Sequence, residues 1–264
     1  MNKYSFIGAG KMASAIVKGM IANNIGAEQI SCICGDDDSG KILSEATGIN
    51  LLAQEDFFAD DLDILVLACK PQQLESIGDT SSLEAEVLIS ILAGTSISKL
   101  RQKFPKVKNI VRSMPNMPAQ IAMGISCYSA ESDLSEGEKA KVENIFSAIG
   151  EFILVDEAKL DAVTALSGSG PGYIFEIADA FIEAGMNIGF SFEEAKKLTY
   201  QTFIGSAHLL EQSELSASEL RNAVSSPGGT TLAGLKALSD YNLREAVKSC
   251  LEAAKNRSQE LAKL

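Results

Sequence analysis

The stretch Tyr4-Ser5-Phe6-Ile7-Gly8-Ala9-Gly10-Lys11-Met12-Ala13 decides the fold. A compact apolar run, Tyr4 to Ile7, gives way at once to helical spacing through Met12, Ile16, Val17 and Met20. Between them lies a G-x-G-x-x-A motif. Its two glycines permit a tight turn and let the backbone approach a pyrophosphate, while Ala13 lets the helix pack closely on the strand. The helix start then offers unpaired N–H groups and the positive end of its dipole to phosphate. Glycines also make plain turns, so the strand–turn–helix setting is what carries the dinucleotide reading.

Working outward, further apolar runs follow at Ile30 to Cys34, Asp63 to Ala68 and Val87 to Leu92. Runs apolar on both faces belong in a parallel sheet covered by helices on each side. Additional strands are predicted near Asn109–Arg112, Gly124–Tyr128 and Phe152–Val155, with a helix over Ser135–Ile149. After about Asp156 only helical periodicity remains, broken at Ser167–Gly172, Gly189–Ser191, Gln212–Ser216, Ser225–Gly229 and Ser239–Asn242. The expected fold is α/β: a Rossmann-type doubly wound sheet over 1–157, then an all-helical domain over 158–264. A helical domain with so much apolar surface is expected to complete its core in a partner subunit.

Composition narrows the partners. The 264 residues are 46% hydrophobic and 22% charged, with a formal net charge of −12 and no basic stripe. Such an anion is repelled by phosphate backbones and anionic membranes, which excludes nucleic acid as a partner. No stretch reaches the ~20 apolar residues of a membrane span, and no charged leader precedes an apolar one, so a cytoplasmic protein is expected. Five scattered Cys do not form a disulfide framework, and one C-x-C pair (Cys32, Cys34) with a single His does not make a zinc site.

Three loops should border a cofactor at the carboxyl ends of the strands. In Ala68-Cys69-Lys70-Pro71-Gln72, Lys70 either faces phosphate or ribose or caps the sheet. Leu92-Ala93-Gly94-Thr95 ends the next strand, and in Arg112-Ser113-Met114-Pro115-Asn116-Met117-Pro118-Ala119 two prolines stiffen the loop. Asn116 there either bonds the nicotinamide or the substrate or belongs to a structural turn. After the second strand, Asp36-Asp37-Asp38 stands where NAD enzymes place an acidic ribose ligand, slightly late in spacing. Asp36 as ribose ligand and a solvated acidic loop are both open readings, and the loop taken alone leans towards NAD.

In the helical domain, Ser225-Ser226-Pro227-Gly228-Gly229-Thr230-Thr231 presents hydroxyls and N–H groups at a helix start. That suits a small carboxylate or a simple N-cap. His208 lies in a helical stretch as a packing or surface residue, and no G-x-S-x-G elbow is present.

Taken together, FIGAGKMASAI (6–16), ACKPQQ (68–73), ILAG (91–94), RSMPNMPA (112–119), LDAVTALSGSGPGYIFEIADA (160–180) and AVSSPGGTTLAGL (223–235) resemble the pyrroline-5-carboxylate reductase family in order and spacing, nearly end to end. The resemblance implies hydride transfer from NAD(P)H to 1-pyrroline-5-carboxylate, giving L-proline, the last step of proline biosynthesis. It also implies a helical domain for substrate binding and dimerisation, with dimers assembling into a decamer. Carried onto these positions, Ile7, Gly8, Ala9, Gly10, Lys11, Met12, Ala13, Ala68, Cys69, Lys70, Pro71, Ala93 and Gly94 line the cofactor, with Asn116 beside it. Gly229, Thr230 and Thr231 hold the substrate, Thr231 reaching the ring nitrogen, and Glu214 falls where members have an acidic residue near it. NADPH is the cofactor the family implies, with NADH possible. Cys69, Gly172 and above all the Asp36–Asp38 loop depart from the family pattern, since many members carry Ser, Thr, Asn or Arg in that loop.

Two rivals meet specific objections. β-Hydroxyacid dehydrogenases place a catalytic Lys beyond a glycine-rich helix break, and Pro171 to Glu176 contains none. A nucleotide sensor without turnover has no use for the Gly229–Thr231 loop.

Overall fold

A computed structural model of the chain describes residues 3–35, 37–57 and 62–262. Eight strands form one sheet: β1 (Tyr4–Ile7), β2 (Ile30–Ile33), β3 (Asn50–Leu51), β4 (Leu62–Leu67), β5 (Ala85–Ser90), β6 (Asn109–Met114), β7 (Gly124–Ala130) and β8 (Gly150–Leu154). Their spatial order is β3-β2-β1-β4-β5-β6-β7-β8. From β1 the chain winds outward to β3, then returns to β4 on the other side of β1. The order therefore reverses between β1 and β4, and a crevice opens there beyond the strand ends.

The helices are α1 (Lys11–Ala22), α2 (Ser39–Thr47), α3 (Gln54–Phe57), α4 (Ile97–Lys103), α5 (Glu136–Ser147), α6 (Leu160–Val163), α7 (Gly170–Asn187), α8 (Phe192–Gln212), α9 (Ala217–Ala223), α10 (Thr230–Asp240) and α11 (Leu243–Leu261). Alternation along the strands builds two cores. Phe6, Ile64, Val66, Val87, Ile89 and Val111 face one side, against Ile16, Val17 and Met20 of α1 and Ile145 and Phe146 of α5. Ile7, Leu65, Leu67, Leu88 and Ile110 face the other, against Leu74, Leu100 and Phe104. Period-2 alternation with both faces apolar is the signature of a doubly wound sheet.

Two features depart from the sequence reading. β3 pairs only Asn50 and Leu51 with Ser31 and Cys32, and its exposed residues carry no apolar pattern to announce it. β7 runs antiparallel to β6, because the short connection 115–123 leaves no room for a crossover helix.

By compactness, residues up to Ser169 group with those from Ala254 onward, and Gly170–Ala253 form a second unit. The predicted break at Ser167–Gly172 begins as a π-helical turn, Thr164–Gly168, before α7 starts at Gly170. In the second unit α7 packs on α8 through Phe181 and Phe203, edge to face at 5.4 Å. Yet Ile182 is the one buried residue described in α7, while Ile174, Phe175 and Ile204 are each more than half exposed. Patches of this kind mark an association surface. Among the described residues, no helix is long and apolar enough to cross a membrane.

Candidate active site

The turn after β1 is fixed by hydrogen bonds to both neighbouring strands. Gly8 N–H donates to Ile33 O at 2.8 Å, and Ala68 N–H donates to Ile7 O at 2.8 Å. Gly8 has φ +103, and a Cβ on it would sit 2.7 Å from the backbone of Ala68 and Cys69. Only glycine fits. Gly10 differs: its φ is −67, and a Cβ there would meet nothing within 4 Å. Neither backbone strain nor packing requires glycine at that point, so the missing side chain keeps open the space in front of α1.

That space is a cleft of about 240 Å³ bordered by Ile7, Gly8, Ala9 and Gly10 of the turn, Cys34, Gly35, Asp37 and Ser39 beyond β2, and Ala68, Cys69, Lys70 and Gln73 beyond β4. The first helical hydrogen bond of α1 runs from Ser14 N–H to Gly10 O, so the N–H groups of Lys11, Met12 and Ala13 precede it. With the dipole behind them, they suit a phosphate. The open face of Gly10 and this row of donors fit a dinucleotide.

The other predicted cofactor residues are placed differently. Ala13 is fully buried, and Met12 packs partly against the core. Lys11, Pro71 and Ala93 are exposed. Gly94, with φ +69, lies against the backbone of Leu261 and Ala262. Asn116 is buried, and its Oδ1 accepts Ile125 N–H at 2.9 Å, tying the proline loop to β7. Asp36 lies outside the described residues. Its neighbour Asp37 borders the cleft, and its Oδ1 accepts Ser39 N–H at 3.0 Å. Sequence spacing did not single out Asp37, Ser39 or Gln73; the cleft did.

Gly229, Thr230, Thr231 and Glu214 belong to the second unit. Gly228 has φ +72, and Gly229 N–H donates to Ser226 O at 2.9 Å, closing a turn that leads into α10. The first α10 bond, Ala233 N–H to Gly229 O, is long at 3.4 Å, leaving the N–H groups of Thr230, Thr231 and Leu232 ahead of it. Gly229 makes no side-chain cap, so this helix start is open to an anion. Glu214 is exposed in the loop before α9, and Thr231 is half-buried in the first turn of α10. His208 is exposed on α8, with Nδ1 3.4 Å from Glu211 Oε2. Among the described residues, no group of three or more His, Cys, Asp and Glu is placed to hold a metal ion.

Burial pushes the Cys69 thiol up from its ordinary value. The hydroxyl and amide of Ser39 hold the Asp37 carboxyl below the usual carboxylate range, with Lys70 adding to the effect. Among the described residues that border the cleft, Asp37 is the one carboxylate.

Comparison with known proteins agrees with this architecture. Residues 157–261 match the family described as pyrroline-5-carboxylate reductase dimerisation. Residues 3–94 match the NADP oxidoreductase, coenzyme F420-dependent family. The chain is 37% identical over 265 residues to pyrroline-5-carboxylate reductase of Pseudomonas aeruginosa, covering 98% of this chain and 97% of that protein. It is 34% identical to pyrroline-5-carboxylate reductase 2 of Bacillus subtilis, over 99% and 95% of the two. Among solved structures, the pyrroline-5-carboxylate reductase of Coxiella burnetii superposes with a TM-score of 0.88 at 34% identity, over 98% of each chain. Pyrroline carboxylate reductase of Plasmodium falciparum with NADP bound gives 0.85 at 30%, over 99% of this chain and 98% of that one. With relatives above 30% identity along nearly its whole length, two matching family models and the same two-part fold, the chain belongs to the pyrroline-5-carboxylate reductase family.

Proposed function

We infer that the chain is an oxidoreductase that reduces 1-pyrroline-5-carboxylate to L-proline by hydride transfer from NAD(P)H. The observation that carries this reading is the pair of open helix starts. One lies at Gly10 in a dinucleotide cleft and the other at Gly229–Thr231, in a chain that matches reductases of this name along its length. The cofactor supplies a hydride when bound. It would rest on Ile7 to Ala13, with its pyrophosphate at the α1 N–H groups, between the loops at Ala68–Pro71 and Ala93–Gly94 and near Asn116.

The substrate carboxylate fits the N–H groups of Thr230 and Thr231 beyond Gly229, where a helix start replaces an arginine. Thr231 Oγ1 then serves the ring nitrogen, and Glu214 contributes negative charge near the protonated ring. A cyclic imine is readily protonated, so the chain has chiefly to align the reactants and hold the developing amine. The imine carbon gains hydride, the nitrogen gains a proton from solvent, and the C=N bond becomes the C–N bond of proline. A threonine hydroxyl is too weak an acid to be that proton's source, so Thr231 positions the nitrogen.

Residues 158–264 serve as the substrate-binding and dimerisation domain. The exposed apolar face of α7 and α8 supports a homodimer, and dimers assemble further into a decamer, in the cytoplasm. The test is oxidation of NADPH and NADH at 340 nm with racemic 1-pyrroline-5-carboxylate, with piperideine-carboxylate as control. Substrate-dependent loss of absorbance is expected. Folded protein that binds cofactor and turns over neither imine would return the reading to a nucleotide sensor.

A further inference from the structure

Among the described lining residues, the β2 side of the cleft, with Cys34, Gly35, Asp37 and Ser39, carries no cation, and Lys70 on the opposite side is the one cation. This side is where a dinucleotide-binding sheet distinguishes a ribose 2′-hydroxyl from a 2′-phosphate, the hydroxyl going to a carboxylate and the phosphate to Arg or hydroxyls. Here one donor at the start of α2 is already taken. Asp37 Oδ1 accepts the N–H of Ser39, the first residue of that helix, and the first helical bond, Ile42 N–H to Asp38 O at 2.9 Å, comes only later. Asp38 makes no side-chain bond to the helix. The protein's own carboxylate therefore occupies one of the donors that a phosphate at this helix start would use, and it brings charge of the phosphate's sign.

We propose that Asp37 is the specificity-determining residue of the cofactor cleft, favouring the free 2′-hydroxyl of NADH and opposing the 2′-phosphate of NADPH. A hydroxyl can donate to the carboxylate and keep the Ser39 bond in place, because a carboxylate has several acceptor positions. A phosphate must either displace Asp37 from Ser39 or lie beside it as a like charge. The ionised state of Asp37 is supported by the same Ser39 contacts. The inference rests on the dinucleotide reading above and adds to it which half of the cofactor pair this chain was built to admit.

The experiment is equilibrium titration of NADH and NADPH, and of 5′-AMP and adenosine 2′,5′-bisphosphate as probes of the adenosine end. It uses the full-length wild-type protein, Asp37→Asn and Asp37→Ser. Asp37→Asn keeps an acceptor for Ser39 and removes only the charge. Asp37 is exposed, so both substituted proteins are expected to fold as the wild type does. Both should bind NADPH and the bisphosphate about tenfold tighter at low salt, with NADH and 5′-AMP unchanged or weaker, and the gain should shrink at high salt. Wild type and substituted proteins that bind both cofactors in the same ratio would overturn the role of Asp37 alone. Wild type that binds neither would overturn the dinucleotide reading itself.

Discussion

Arg112 Nη1 lies 3.2 Å from Glu157 Oε1, and the same oxygen accepts the N–H of Ile97 at 2.8 Å. The guanidinium also reaches Asp161 Oδ1 at 3.7 Å, and that atom accepts the hydroxyl of Ser258 at 2.8 Å. One buried arginine at the end of β6 thus joins the start of α4, just after the Gly94 turn, to the last helix, whose end lies on Gly94. Arg112→Leu removes the cation and leaves two carboxylates facing each other. The expected loss is about 2 kcal/mol after allowing for water at Glu157. That corresponds to a fall in Tm of roughly 4–8 °C. Arg112→Lys should recover only part of it, since a single ammonium cannot bridge both partners. Amide exchange at residues 254–262 should accelerate before the rest of the first unit; uniform exchange would show that the network does not hold the C-terminal segment.

Gly8 and Gly10 separate folding from binding. Gly8→Ala forces a side chain into a φ of +103 with backbone 2.7 Å away, and about 2–4 kcal/mol of stability should go with it. Gly10→Ala points into open space, so stability should stay within about 0.5 kcal/mol. Its cost should fall on the ligand, with NADPH affinity reduced about tenfold or more. A Gly10→Ala protein that keeps full affinity would show that the pyrophosphate lies elsewhere.

Most of the first unit could be read from apolar runs, because strands buried on both faces leave no choice of environment. What escaped were features set by connection or by partner. β3 is two exposed residues with no pattern, and β7 carries the same residue types whichever way it runs. The glycine motif lies on the cleft; in the acidic loop, spacing pointed to Asp36, which is outside the described residues, and its neighbour Asp37 borders the cleft. Asn116 has the chemistry of a ligand contact, yet its carbonyl oxygen holds Ile125 N–H, a bond between residues nine apart that no motif reports.

Cys69 borders the cleft with a thiol that burial pushes up, so its thiolate forms only at higher pH than in an ordinary cysteine. Alkylation of Cys69 by iodoacetamide should be slow at neutral pH and rise as pH climbs past the ordinary thiol range. Saturating NADPH should protect it. Mass-spectrometric mapping at two pH values reads both effects; rapid labelling at pH 7, or labelling indifferent to NADPH, would remove the thiol from the cofactor's surroundings.

The apolar face of α7 and α8 has its own consequence. Phe175 and Ile204 are 58% and 53% exposed, so a charge at either site meets water in a free subunit and hydrocarbon in an associated one. Phe175→Glu should shift the protein towards monomer in sedimentation velocity while NADPH binding by the first unit persists. Unchanged mass at micromolar concentration would place the interface on another face.

Thr231 tests the chemistry most directly. It is half-buried in the first turn of α10, where its backbone N–H precedes the first helical bond, Ala233 N–H to Gly229 O. Thr231→Ala keeps the N–H and removes the hydroxyl, so kcat/KM should fall roughly ten- to a hundredfold while NADPH affinity is unchanged. Thr231→Ser should restore most of the activity. The loss should appear in kcat as well as KM, because a bond to the nitrogen strengthens as the imine becomes an amine. A loss confined to KM would mean that Thr231 only binds the ring, and an alanine protein with full kcat/KM would leave the nitrogen to solvent.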